Sequence, residues 1–311
     1  MTQGSAMLLL PNQITAAMIT TGTSVPVVDS ARGEVAWSIG TPYTGVETKI
    51  NDGGRLWTAV ASSTGVRPGT DSTKWRETGP SNRMAAFDDK LSTKSIGAGE
   101  LKLVIKPGFF NGLALYGLVG EQLEITLRNT PGGAIIYQWI GDMFEQPFGL
   151  FEYLYMPLRQ ITKRLASDLA MGTDAELTIR ITAAGTGVCG VGMVVCGFWE
   201  TLLGTGEFGG VEYGASAEIK TYSYIGTNED GSTSIVPRAS ATNINCSVVI
   251  DAEQANKAVD VLTQVLAKPV AIVLSGLPRY EYLNTFGLIS GNVTADTWRT
   301  AKLQITGKGF I

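Results

Sequence analysis

Four carboxylates, Glu34, Glu47, Asp52 and Asp71, stand among Trp37, Tyr43, Trp57 and Trp75 in the stretch from Gly33 to Asp88. Paired carboxylates cleave glycosidic bonds when one is held protonated and the other ionised. Aromatic rings offer a different chemistry, an apolar face on which sugar C–H groups stack, with an indole N–H donor at its edge. A hydrolase raises one carboxylate's pKa in a deep cleft, and a module this small has little room for one. The residue types therefore favour binding without turnover, with each carboxylate taken singly as solvated surface. Trp37 and Trp57 lie beside apolar positions and are expected partly in the core. Tyr43, in the TPYTG turn, and Trp75 are expected to be more available for stacking. A core role plus an intersubunit contact is the competing expectation for the set.

Other chemistries find less support. The chain of 311 residues has no histidine, which removes the commonest general base, the commonest zinc ligand and every Ser-His or Cys-His pair. Cys189, Cys196 and Cys246 are odd in number and lack CxxC spacing, so they read as reduced, packed thiols. The glycine-rich GTGVCGVG and GTGEFGG lack the Gly-Lys-Ser ending of a phosphate loop and read as turns and packed strands. Asn228-Glu229-Asp230-Gly231 has oxygen ligands and a glycine bend but not the alternating carboxylates of a calcium loop, and reads as a hairpin turn. No cofactor and no metal are expected. A net charge of −4 without a run of Lys or Arg argues against a nucleic-acid partner.

The elements that position these residues are mostly strands. From Gly33 to Asp88, Gly or Pro breaks nearly every short run, which predicts small antiparallel strands. From Leu101 onward LKLVIKPG, NGLALYGLVG, QLEITLRNT and AIIYQWIG are β-rich runs between PG, NG and PGG turns, the spacing of an antiparallel sandwich or jelly roll. ELTIRITAA alternates with Leu177, Ile179 and Ile181 on one face, a half-buried strand. VGMVVCGFW is apolar on both faces, as a central strand is. Phe144, Phe148, Phe151, Tyr153, Tyr155 and Met156 crowd the intervening stretch, ahead of an expected short helix over 159–169. That cluster reads equally as an interface patch or as a lid on the sandwich core. SAEIKTYSYIGTNEDGSTSIVPRAS predicts two strands around the NEDG turn, and NINCSVVID a further strand. Asp251 and Gln254 have capping-box spacing, and Val259, Leu262 and Leu266 follow at helical spacing before Pro269. PVAIVLSG, TFGLISGNV and TAKLQITGKGFI complete an α+β domain.

The fold class is thus mainly β and multidomain. A carbohydrate-binding-like module, an antiparallel β-sandwich and a C-terminal α+β domain follow an N-terminal arm. The expected boundaries are 1–32 for the arm and connector, 33–80 for the module, 81–205 for the sandwich and 206–311 for the α+β domain. MLLLPNQITAAMI lacks a basic flank and a cleavage site, and its apolar run is too short to span a bilayer, so no membrane insertion is expected. It reads equally as an arm on a neighbouring subunit or as an element packed on its own chain.

Trp37, Gly40, Tyr43 and Gly45, then Leu56-Trp57-Thr58-Ala59, Gly65, Pro68 and Lys74-Trp75, resemble small carbohydrate-binding modules of the chitin-binding kind. Trp57 stands where those modules commonly have tyrosine, and Val46-Glu47 replaces their usual acidic residue. Gly79-Pro80-Ser81-Asn82-Arg83-Met84-Ala85-Ala86-Phe87-Asp88 resembles the segment after such modules in bacteriophage tail proteins, with Phe87 as an apolar anchor and Arg83 and Asp88 holding the junction. The C-terminal progression loosely resembles tail-tip and baseplate subunits. The resemblance covers about a quarter of the chain closely. It implies a virion structural protein of a phage tail, synthesised in the host cytoplasm. Its implied partners are copies of itself, other tail proteins and a host-surface glycan met by Trp37, Tyr43, Trp57 and Trp75. A polysaccharide-degrading tail enzyme and a structural joint whose module docks a neighbouring tail protein are the alternatives.

Overall fold

The computed structural model describes residues 6–145, 149–167, 169–170, 172–202, 210–227, 230–237, 240–275 and 278–310. In chain order, the first strands are β1 (Met7–Pro11), β2 (Val35–Ala36), β3 (Ile50–Asp52), β4 (Arg55–Ala59) and β5 (Trp75–Pro80). Next come β6 (Ser95–Ala98), β7 (Glu100–Ile105), β8 (Gly112–Tyr116), β9 (Gln122–Arg128), β10 (Ile135–Asp142) and the helix α1 (Leu150–Tyr155). They are followed by β11 (Lys163–Ala166), β12 (Glu176–Thr182), β13 (Val188–Val191), β14 (Met193–Thr201), β15 (Gly210–Val211) and β16 (Ser216–Thr221). The last elements are β17 (Tyr224–Thr227), β18 (Thr233–Val236), β19 (Ser240–Asp251), α2 (Ala255–Gln264), β20 (Val270–Val273), β21 (Thr285–Ala295) and β22 (Thr300–Gly309). The chain is mainly β, as the turn-punctuated runs predict.

The chain divides into two compact units, and the division differs from the one expected. Residues 13–165 and 169–195 form one unit, and residues 1–12, 166–168 and 196–311 form the other. The module and the segment expected as a separate sandwich therefore share a unit. The boundary falls at 195/196 rather than at 205. The first residues belong with the C-terminal unit.

In the unit built around 13–195, β2-β3-β4-β5 make a four-stranded sheet, and β10-β9-β12-β7 make a second, antiparallel one. β12 alternates as its sequence requires: Leu177, Ile179 and Ile181 are at most 1% exposed, and Arg180 between them is exposed. Leu103, Ile105, Ile125 and Leu127 add to the buried residues of β7 and β9. The expected helix over 159–169 is absent from the described part of that span. The helix lies earlier, at Leu150–Tyr155, and β11 occupies 163–166. Phe148 of the aromatic cluster lies outside the described residues.

In the other unit, β1 lies between β14 and β20, pairing Leu9 with Trp199 on one side and with Ala271 on the other. The N-terminal segment is therefore an interior strand of its own chain rather than an arm. Leu8 and Leu9 are fully buried. Beyond β20 the sheet continues through β21, β22 and β19, with β15 and β16 both pairing β19. Ile244, Val248, Ile250, Ile272, Leu303 and Ile305 form its core. α2 presents Ala258, Val261 and Leu262 to that core, and Val265, at its C-cap, continues the spacings of three and four residues. Of the expected stripe only Leu262 is buried, because Val259 and Leu266 lie one residue outside the buried arc and are 47% and 57% exposed. A 3-10 turn precedes α2, and no side-chain cap bond forms at Asp251. The segment expected as two strands holds three, β16 on β19 and a β17–β18 hairpin whose turn includes Asp230 and Gly231. Asn228 and Glu229 of that turn lie outside the described residues.

Candidate functional site

The aromatic module is a small sheet closed by one tight hairpin. Between β3 and β4, Gly53 and Gly54 both take positive φ, +62° and +84°, as the I′ turn of a two-residue hairpin requires. Gly54 has a second constraint, since a Cβ there would lie 2.6 Å from Met84 Cγ. β4 then pairs β5 antiparallel, with a register shift between Leu56 and Trp57.

Its core is Tyr43, Ile50, Ala59 and Trp75, with Trp37, Trp57 and Val66 packed against it. Tyr43 and Trp75, expected as stacking surface, are 4% and 2% exposed. Their rings meet edge to face with centroids 4.9 Å apart. Each polar handle is also spent internally: Trp75 Nε1 donates to Val66 O at 3.0 Å, and Ser38 N donates to Tyr43 Oη at 3.0 Å. The TPYTG turn folds inward because Tyr43 and Ser63 exchange both backbone bonds at 2.9 Å. Burying the Trp75 ring contributes about 4 kcal/mol to the module's stability.

Trp37 and Trp57 are the partly exposed pair, the reverse of the expected ranking. The Nε1 atom of each is covered and has no hydrogen-bond partner among the described residues. What either ring offers a ligand is therefore carbon surface, without the indole donor expected at its edge. Trp57 also rests on Gly69, where a Cβ would lie 3.2 Å from Trp57 Cη2.

Each of the four carboxylates accepts hydrogen bonds from the chain itself, Glu47 and Asp71 within their own turns. Glu47 accepts from Thr44 N, Thr44 Oγ1, Gly45 N and Val46 N at 2.7–3.2 Å. Those bonds, the Thr44 hydroxyl first, pull its pKa down to about 2. Asp52 pairs with Arg67 through two bonds of 2.8 and 3.2 Å, which raise the guanidinium's pKa. Asp71 accepts from Thr73 Oγ1 and N at 2.7 and 2.8 Å, so its pKa is lowered. Glu34 is 5% exposed and receives Asp29 N, Asn51 Nδ2 and Asn82 N at 3.1, 2.7 and 2.9 Å.

Glu34 belongs to a buried polar junction just below the sheet. Asn82 Nδ2 donates to Asp29 Oδ2 and to Ile96 O, and Asn82 Oδ1 accepts from Ile96 N at 2.9 Å. Ser95 Oγ donates to Asn82 O and accepts from Ala86 N. Arg83 reaches the carbonyls of Val25, Ile19 and Thr20, as a junction residue should. Asp88 instead bonds within its own loop, to Lys90 N and Thr93 Oγ1. The stretch 81–100, whose polar, Gly-containing composition reads as a linker or domain entry, is thus tied on both sides through Asn82, Arg83 and Ser95. Sequence reasoning did not place Glu34 and Asn51 in this junction; both stand among other polar residues, so no local pattern marks them as buried.

Among the described residues no group of His, Cys, Asp and Glu is arranged to hold a metal, and no helix is long and apolar enough to cross a membrane. No protein-family model, curated protein or solved structure matches the chain.

Proposed function

We propose that this chain is a structural subunit of a bacteriophage tail, in the tip or baseplate region, that assembles with copies of itself. The observation that supports assembly is the surface around α1. Leu150, Phe151, Tyr153, Leu154, Tyr155, Met156 and Leu158 are each 57–74% exposed within nine consecutive residues. A helix of six residues is not stable by itself in water, and no residue of α1 is buried. An apolar patch so dense marks a protein interaction surface. Aromatic residues and Met are enriched at such surfaces. The tail assignment comes from the resemblance of the module and its following segment.

Sedimentation of the full chain tests the assembly reading. Phe151→Glu with Tyr155→Glu, whose rings lie 5.1 Å apart, is expected to dissociate the oligomer and leave the thermal midpoint of the subunit unchanged. Unchanged sedimentation would count against the reading.

Within that reading the module meets host-surface glycan through the open carbon faces of Trp37 and Trp57. Repetition of the subunit multiplies a weak contact by effective concentration.

A further inference from the structure

We infer that β16 is an interface at which two copies of this chain pair antiparallel, edge to edge, about a two-fold axis at Ile219. The inference rests on the homo-oligomer reading above and names one face through which copies meet. Among the described residues β16 hydrogen-bonds along one side only, to β19, with Ala217 opposite Ile244 and Ile219 opposite Thr242. A strand edge with unpaired N–H and C=O groups is a template for another strand unless it is blunted by Pro, a bulge or a covering loop. Serine, glutamate, isoleucine, lysine and threonine of β16 are all exposed, and Ile219 is 77% exposed.

The order of charges identifies the occupant as a second copy. In an antiparallel pair centred on Ile219, residues whose numbers sum to 438 face one another. Glu218 then stands opposite Lys220 of the second copy, and Lys220 opposite Glu218, two favourable cross-strand pairs on one face. On the other face Ile219 meets its own equivalent, and Ala217 meets Thr221. Neither Glu218 nor Lys220 makes an ion pair among the described residues. A self-complementary strip of this kind is what an isologous interface requires. Two residues further on, the β17–β18 hairpin exposes Tyr224, Ile225 and Ile235 at 60–62%. A lone hairpin is marginal in water, so its apolar side chains extend the surface that pairing covers.

The test is a charge exchange in the full chain, read by sedimentation equilibrium. Glu218→Lys and Lys220→Glu each place two like-charge pairs across the axis and are expected to weaken self-association ~10-fold or more. Mixing the two single variants, or combining both changes in one chain, restores complementarity and is expected to restore association. Both substitutions are exposed, and an unchanged thermal midpoint verifies that the subunits are folded. Single variants that associate like the wild type, or a double variant that fails to recover, would overturn the inference. If Phe151→Glu with Tyr155→Glu dissociates the oligomer while the charge variants do not, the edge interface is wrong and the assembly reading stands. A wild-type chain that remains monomeric overturns both.

Discussion

Glu34 Oε1 accepts the backbone N–H of Asn82 at 2.9 Å, a bond between residues 48 positions apart. It joins the start of the aromatic module to the segment that leaves it, so the module is set into its unit rather than strung on a linker. Removing the Glu34 carboxylate takes the acceptor from Asp29 N and Asn82 N in a buried site and leaves Asn51 Nδ2 with Val27 O alone. Glu34→Ala is therefore expected to destabilise this unit by about 3 kcal/mol in chemical denaturation. Glu34→Gln keeps an acceptor and should lose less.

The burial of Tyr43 and Trp75 moves the test of the proposed glycan contact to Trp37 and Trp57. Trp75→Ala is expected to cost about 3–5 kcal/mol through the cavity it leaves, with any loss of binding following from unfolding. Trp37→Ala and Trp57→Ala are expected to abolish glycan retention by the folded chain while costing less stability. Glycan-array binding of the oligomer, read beside circular dichroism of each variant, separates the two effects.

Glu47 supplies a pH dependence with a definite sign. Its pKa is lowered from 4.5 to about 2 in the folded state, so the stabilisation it gives is present above pH 4.5 and is lost as the pH falls toward 2. The thermal midpoint of the wild type is expected to fall across that window. Glu47→Gln should lower the midpoint at neutral pH and flatten the part of the slope that Glu47 contributes.

The three thiols should be inert. Cys189 and Cys196 are fully buried, and burial raises the pKa of all three. Cys246 is pushed up to about 12, so at pH 8 roughly one molecule in ten thousand carries its thiolate. Mass spectrometry after maleimide treatment should find the native chain unlabelled and the denatured chain labelled at all three sites.

What could be read in advance was what local pattern determines. The alternation of Leu177, Ile179 and Ile181 and that of Ile244, Cys246, Val248 and Ile250 each place one strand face in a core, and all seven side chains are buried. What could not be read depends on partners distant in sequence. Met7–Leu10 reads equally as an arm or as an element of its own chain, and only its pairing with strands far along the chain, Leu9 with Trp199 and with Ala271, decides between them. Tyr43 sits in a turn composition that favours exposure, and only its bridge to Ser63 turns the ring inward. Val259 and Leu266 fit a helical stripe as well as Ala258 and Val265 do. Which arc is buried is set by where the sheet lies against α2, and a helix sequence does not carry that information.

The most direct test of the proposed tail-subunit role is quantitative mass spectrometry of phage particles, and of tails isolated from them, purified from a source that carries the gene for this chain. A tail subunit is expected in both, enriched in tails and present in several copies per particle. Its absence from particles that are otherwise complete would contradict the tail-subunit role.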